Sequence, residues 1–343
     1  MKREPRISPV VCSVCIANYN GVEVLSACLE SVFCQTFPHP IEVIVHDDAS
    51  TDGSAAIVTE KYPAVRLLQS QTNVGFCISN NRMVAVAKGR FILLLNNDAE
   101  LHGDALATLY DVATRQNLYG ILGLPQYNRE TGDLIDRGSL LDPFCNPVPN
   151  LDVSRRDVGT VIGACMWLPR RLWEELGGFP EWFESLAEDM YLCCYARLKG
   201  YPVTVLAESG FNHWVGGSFG GGKVVRRTLQ TTYRRRTRSE RNKSYVMLLC
   251  YPAPLVQVLF PLHLLLLAVE GLLLSAIKKE RRIWQEIYRP CFVALWRNRR
   301  LLLRLRRIIQ AGRRTSLRTF YSAHTFRPYK LIMLTKYGLP TLK

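Results

Sequence analysis

The sequence predicts an α/β fold, a mostly parallel sheet flanked by helices, with a helical extension at the C-terminal end. Three observations carry that expectation. Short β-branched runs alternate with stretches of helical apolar spacing through the first part of the chain. Polar clusters fall immediately after those runs, where parallel sheets place their ligands. The charge also reverses along the chain: residues 1–222 carry 17 Lys/Arg against 25 Asp/Glu, or −8, and residues 223–343 carry 27 against 4, or +23, within a total of +15. A mildly acidic body thus precedes a strongly basic region, and the two are expected to meet different partners.

The apolar run 10–17 reads as a buried strand closed by the loop Asn18-Tyr19-Asn20-Gly21. Residues 23–33 set Val24, Leu25, Cys28, Leu29 and Val32 at helical spacing. A β-branched strand at 41–45 leads to Asp47-Asp48-Ala49-Ser50-Thr51-Asp52-Gly53, with a helix expected from Ser54. Strands are expected at 65–68 and 91–95, with a helix between them near 80–87. Pro, Gly and Asn predict long loops over 124–157. A strand at 161–168, helices at 169–176 and 186–198 and a strand at 203–206 complete the body. The 11 cysteines are scattered; Cys12 and Cys15 have C-x-x-C spacing but lie in a strand with no second pair, so buried thiols are expected rather than zinc. An odd number of cysteines and no apolar leader after Met1 point to a reducing compartment.

Four polar clusters can carry chemistry, and each has a plainer reading. Asp47 and Asp48 can accept from a base or a ribose, whereas helix capping accounts for Ser50 and Asp52 and leaves Asp47 over. Asn96-Asn97-Asp98 ends a very apolar strand, and oxygen ligands there suit Mg²⁺ or Mn²⁺, although a turn would use the same residues. Glu188 and Asp189 point about 100° apart on a helix, so one can face a cleft and take the proton of a hydroxyl; a solvated helix face competes. His213-Trp214 beside Gly216-Gly217-Ser218 and Gly220-Gly221-Gly222 pairs a possible nitrogen ligand with a segment able to close over substrate, but a lone His is more often structural.

Taken in order, these motifs resemble the inverting family-2 glycosyltransferases of the GT-A (Rossmann-like) fold, particularly rhamnosyltransferase-like members. The resemblance runs from residue 10 to residue 222 through Ala17-Asn18-Tyr19-Asn20-Gly21, Asp47-Asp48, Asn73-Val74-Gly75-Phe76, Asn80-Asn81, Asn96-Asn97-Asp98, Gly163-Ala164-Cys165-Met166, Gly177-Gly178-Phe179, Glu188-Asp189 and His213-Trp214. It implies that Asp189 is the catalytic base and that Asp98 and His213 hold Mg²⁺ or Mn²⁺. Ala17, Asn18, Tyr19, Asn20, Asp47 (on the base), Asp48, Asn73, Gly75, Phe76, Asn81 and Asn97 would bind a nucleotide sugar. Gly163, Ala164, Glu188 and Trp214 would line the acceptor side. The implied reaction is sugar transfer from a nucleoside-diphosphate donor, dTDP-L-rhamnose first, to a hydroxyl of a lipid-linked or cell-surface polysaccharide. A UDP-sugar donor, a non-catalytic membrane- or nucleic-acid-binding protein and a two-carboxylate hydrolase are the alternatives. Two departures from the family pattern stand out: Asn96 replaces the first D-x-D carboxylate, and Tyr191 and Tyr195 replace an Asp/Arg pair, which reads as altered acceptor recognition.

The basic region pairs charge with leucine. Residues 246–269 hold no charge, but Pro252, Pro254 and Pro261 leave 262–277 as the best helix, short for a span. Arg234-Arg235-Arg236 before it and Lys278-Lys279-Glu280-Arg281-Arg282 after it favour a segment lying in the plane of an anionic membrane surface. Residues 296–309 mix Arg with Leu and Ile as an interfacial helix does, and leucine there argues against nucleic acid. The expectation is therefore residues 1–222 as the GT-A domain and 223–343 as a membrane-associating region. That places the chain on the cytoplasmic face of the inner or plasma membrane, peripheral or monotopic, with a homo-oligomer possible.

Overall fold

The computed structural model describes residues 10–214, 223–225 and 228–343. The N-terminal residues before position 10 and the glycine-rich segment expected to close over substrate lie outside them. The body contains β1 (Cys12–Asn18), α1 (Leu25–Phe33), β2 (Ile41–Asp47), α2 (Ser54–Lys61), β3 (Arg66–Gln69), α3 (Phe76–Val86), β4 (Phe91–Asn96), β5 (Ala99–Leu101) and α4 (Ala105–Arg115). It continues with β6 (Ile121–Gly123), β7 (Gln126–Asn128), β8 (Leu134–Asp136), β9 (Ser139–Leu141), β10 (Pro147–Pro149), β11 (Cys165–Pro169), α5 (Arg170–Leu176), α6 (Glu188–Leu198), β12 (Val203–Val205) and β13 (Phe211–His213). The basic region adds β14 (Lys223–Val225), β15 (Thr228–Thr231), α7 (Tyr233–Cys250), α8 (Leu255–Ile277), α9 (Arg281–Ile283), α10 (Arg289–Arg297), α11 (Arg299–Ala311), α12 (Leu317–Tyr321), α13 (Tyr329–Tyr337) and β16 (Thr341–Leu342).

Seven strands form the main sheet in the order β12-β6-β11-β4-β1-β2-β3. Only β11 runs against its neighbours β4 and β6; the other pairings are parallel. Both faces of β1 and β4 are buried, which is why they read as unbroken apolar runs. Their ends come together because β1 lies between β2 and β4, with Asn18 opposite Asp47 and Ala17 opposite Asn96. A second sheet, β5-β13-β7-β8, sits beyond β4, and its antiparallel register sets His213 opposite Ala99.

Four expectations need correcting. The stretch read as long loops holds β7, β8, β9 and β10, each of three residues, too short to leave a periodic signal. The helix expected near 80–87 starts at Phe76, where it follows Gly75 at φ +92°. The helix expected from 186 starts at Glu188, because Leu186 and Ala187 have φ of +73° and +65°, which no helix accommodates. Finally, α8 runs from Leu255 with Pro261 inside it, so the proline costs a hydrogen bond without ending the helix.

The basic region is packed onto the body. Tyr245, Val246, Met247, Leu249 and Cys250 of α7 share one core cluster with Met166 and Leu168 of β11 and with Phe183. Arg306 and Gln310 of α11 donate to Leu248, Leu249 and Tyr251, which satisfies the carbonyls that the end of α7 leaves open. All eleven cysteines are free thiols, and only Cys34 is exposed.

Candidate active site

The loops after β1, β2 and β4 make a single polar floor. Asn18 is its hub: its amide donates to Asp47 (3.0 Å) and Ser54 (2.9 Å), and its carbonyl oxygen accepts from Asn97 (2.8 Å). Gly21 is required beside it, since a Cβ there would lie 2.2 Å from Asn97 Nδ2 and 2.3 Å from Asn18 Oδ1. Asp47 also accepts from the backbone of Ser50 (3.1 Å), and Asp48 accepts from Val74 (2.7 Å) and Gly75 (2.8 Å). Both carboxylates are buried, so they tie the loops together as well as lining the floor. Asp52 joins Val22 to Ser54 and, by accepting from the Ser54 N–H (3.0 Å), satisfies a donor at the start of α2 as expected of it, whereas Ser50 accepts from the Asn20 N–H and not from the helix. Tyr19 is half exposed and Asn73 is exposed, whereas Asn81 is held by two bonds to the Phe179 backbone (2.9 and 3.0 Å) and Phe76 stacks on Phe179.

Beyond β4 the register of β13 on β5 brings His213 to Asp98, with Nε2 and Oδ1 3.1 Å apart. Trp214 donates its backbone N–H to the Asp98 carbonyl, and Arg129 covers its ring. Gln126 Nε2 lies 2.8 Å from His213 Nδ1. With the Gln126 amide donating, that bond puts the imidazole proton on Nε2; turning the amide over moves it to Nδ1 and frees Nε2 as a ligand. Two donors bound side by side to a cation at about 2.1 Å lie about 3 Å apart, which matches the Asp98–His213 spacing. Asn96 Oδ1 and Trp214 Nε1 are buried nearby without a hydrogen-bond partner among the described residues. The donor set therefore fits one hard cation held by Asp98 and His213, although among the described residues no three His, Cys, Asp or Glu side chains converge on a point.

The other wall is the start of α6. The chain turns into it through Glu184, Leu186 and Ala187, all at positive φ, a strained approach for residues with a Cβ. Asp189 Oδ2 accepts from Gly163 N (3.1 Å) and Oδ1 from Met190 N (2.7 Å). Ala164, next to Gly163, accepts from Asn96 N (3.0 Å), so one short loop connects the Asp189 wall to the Asp98 wall. Burial raises the Asp189 carboxyl above the usual range, and burial followed by the Asp189 charge raises Glu188. Asp189 is half buried, while Glu188 is 6% exposed with Oε2 unpartnered. Asp189 is thus the member of the pair able to meet a substrate hydroxyl.

Sequence reasoning missed what holds this wall. Asn242 of α7 donates to the carbonyls of Phe183 (3.0 Å), Ser185 (3.0 Å) and Leu186 (2.8 Å), and Arg238 and Arg241 ion-pair with Glu184. The only local signal was helical spacing inside a basic run; the partner turn lies far away in the chain. Tyr191 and Tyr195 also differ from expectation. Their rings lie 6.0 Å apart, Tyr191 packs on Phe183 and Tyr195 is buried, so this pair is core packing under α7 rather than an acceptor surface.

A family model described as glycosyl transferase family 2 matches residues 13–177. Among curated relatives, an uncharacterized glycosyltransferase of Escherichia coli, YibD, is 35% identical over 129 residues, which is 35% of this chain and 36% of the relative. An N-acetylglucosaminyl-diphospho-decaprenol L-rhamnosyltransferase of Mycobacterium tuberculosis is 27% identical over 45% of this chain and 60% of its own. A poly(ribitol-phosphate) beta-glucosyltransferase of Bacillus spizizenii is 28% identical over 59% of this chain and 32% of its own. The chain therefore spans less than two thirds of the length of each of these relatives. S. aureus TarS residues 1–349, solved with UDP-GlcNAc, superposes with a TM-score of 0.58 at 20% identity over 93% of both chains. A Pyrobaculum calidifontis mannosyltransferase solved with GDP-Man and Mn²⁺ gives 0.51 at 18% identity, over 90% of this chain and 89% of its own.

Proposed function

From the premise that the chain belongs to glycosyl transferase family 2 through residues 13–177, on a GT-A-like fold, we infer that it is an inverting glycosyltransferase using a nucleotide-sugar donor. The observation that carries this is the meeting of two walls across one floor: Asp98 with His213 on one side, and Asp189, held by Gly163, on the other. In this reading Asn18, Asp47, Asp48 and the exposed Tyr19 and Asn73 receive the nucleoside. Asp98 and His213 would hold Mg²⁺ or Mn²⁺, which when bound supplies the positive charge that a departing diphosphate needs. Asp189 takes the proton of the acceptor hydroxyl as its oxygen attacks the anomeric carbon. The bond to the diphosphate breaks on the opposite face, so one displacement inverts that carbon. No enzyme nucleophile is required.

dTDP-L-rhamnose is the first donor to test, supported by the rhamnosyltransferase relative, with UDP sugars next. The acceptor in this reading is a lipid-linked or polysaccharide hydroxyl. Among the described residues α8 is the one helix long and apolar enough to cross a membrane. Its inner face, however, holds His263 and Gly271 buried, and Glu270 pairs with Arg236 and Lys330. Its outer face exposes Val258 (67%), Leu265 (60%) and Leu272 (57%). A helix with one face committed to the protein and the other apolar suits in-plane attachment, with residues 223–343 as the membrane-associating part. The deciding experiment is a thermal-shift panel of dTDP, UDP and GDP sugars with and without Mn²⁺. A donor that raises Tm only with metal supports both site and cation, and a panel without any response sinks the glycosyltransferase reading.

A further inference from the structure

Three arginines line one cleft in the basic region, and among the described residues none of them pairs with a carboxylate. The cleft, of about 450 Å³, lies between α11 and the link from α7 to α8, and is bounded by Ala253, Leu303, Arg306, Arg307, Gln310 and Arg313. Leu303, Arg306, Arg307 and Gln310 recur at i, i+3, i+4 and i+7, so α11 presents them on one face. Arg306 Nη1 donates to the carbonyls of Leu248 (2.6 Å) and Tyr251 (2.8 Å), which fixes the guanidinium and leaves its Nε and Nη2 unbonded among the described residues. Arg313 is tied through Nε alone, to the Thr315 carbonyl (2.9 Å), and Arg307 is exposed with no side-chain bond among the described residues. Arg236, Arg238, Arg241, Lys243 and Lys330, by contrast, all have carboxylate partners. Residues 287–343 contain no Asp or Glu, so α11 has no acidic neighbour along the chain to neutralise it. Ala253 precedes the N-cap of α8, whose first turn has no side-chain cap, and the positive end of that helix adds to the same wall. A cleft lined by one sign of charge concentrates its field on whatever anion enters.

We propose that this cleft binds the phosphate of an anionic lipid headgroup. The site rests on the in-plane membrane contact proposed above and needs nothing of the Asp189 chemistry. The planar fork of a guanidinium matches two phosphate oxygens, and three guanidinium groups around one cavity suit the several oxygens of a phosphate better than the two of a carboxylate. The surroundings favour a lipid over a soluble phosphate ester. Leu301, Leu303 and Ile308 are exposed on α11, and the exposed Leu255 and Val258 open α8 just after Ala253. Acyl chains attached to the bound phosphate would cover such apolar surface, whereas a soluble ester leaves it in water.

The test is sedimentation of the full chain with phosphatidylcholine vesicles that do or do not contain phosphatidylglycerol. The wild type prefers the anionic vesicles. Arg307→Gln with Arg313→Gln lowers that binding at least tenfold below a control pair, Arg300→Gln with Arg304→Gln, which removes the same charge from α11 outside the cleft. Equal losses in the two pairs make the attraction a diffuse surface charge and overturn the cleft as a site. Glycerol 3-phosphate, titrated by calorimetry, separates the two sources of phosphate. Binding of it through Arg307 and Arg313, without a preference for anionic vesicles, moves the site to a soluble ester and overturns the lipid assignment. Duplex DNA held more tightly than the vesicles by the same two arginines overturns it in favour of nucleic acid. If Arg313→Gln unsettles the turn to Thr315, Arg307→Gln against Arg304→Gln carries the comparison, and equal losses again count against the cleft. Equal binding to both kinds of vesicle overturns the headgroup site while the in-plane contact stands. Binding to neither removes that contact and the site with it, so the two failures are distinguishable.

Discussion

Asp189 carries the heaviest chemical demand of any single residue in this reading, and its surroundings suit it. A carboxyl raised by burial is a better proton acceptor than a solvated one, and two backbone N–H groups keep it from swinging away. Asp189→Asn keeps the size and loses the base, so turnover should fall by about 10²–10⁴-fold while nucleotide affinity, measured by calorimetry, is unchanged. An equal loss of both would make Asp189 a folding residue. His324 works in the opposite sense, on stability. Burial holds its imidazole down to about 3, so the folded protein refuses a proton that the unfolded chain takes up near 6.5. Stability is then full above pH 6.5 and is lost as pH falls toward 3. About 2 kcal/mol should be gone by pH 5, and urea unfolding of wild type against His324→Gln at pH 8 and pH 5 measures it. A loss of the same size in the variant would assign the acid sensitivity elsewhere.

At the level of elements, α7 is the clamp of the Asp189 wall. Three carbonyls of a turn that contains Glu184, Leu186 and Ala187 at positive φ are held by the one Asn242 amide. Asn242→Ala should cost about 1–3 kcal/mol in urea unfolding and lower kcat, with nucleotide affinity intact because the floor around Asn18 is untouched. A variant that loses stability but keeps full kcat would separate the clamp from the chemistry. Helix α8 makes a different prediction. Leu265 and Leu272 are exposed and make no demand on the fold, so Leu265→Glu with Leu272→Glu should leave Tm unchanged. Each leucine is worth about 1.5–3 kcal/mol when taken out of water, so binding to vesicles containing anionic lipid should fall by on the order of tenfold or more. Sedimentation with vesicles at high salt reads this directly, and undiminished binding would place the membrane contact on another surface.

On the scale of the whole molecule, the body and the basic region are one packed structure in which the region after residue 222 completes the wall that the body begins. Much of the body was legible in the sequence for a physical reason. A strand buried on both faces must be apolar throughout, and the ligand-facing loops must follow it, so 91–95 and Asn96-Asn97-Asp98 announce themselves locally. The short strands between 121 and 149 did not, because three residues are too few for any period. The hydrogen bonds of Asp47 and Asp48 to loops of other strands were equally hidden. The basic region was read by composition as a membrane contact, and composition reports only which side chains can meet lipid or anions. It carries no record of which helix face is already in use. The sequence alone thus determined the order of the motifs, the α/β class and the identity of the groups able to bind or move a proton. Tertiary structure decided that His213 meets Asp98, that Gly163 holds Asp189, and that a basic helix fixes the turn in front of it, because each of those pairings joins distant segments through sheet register and packing.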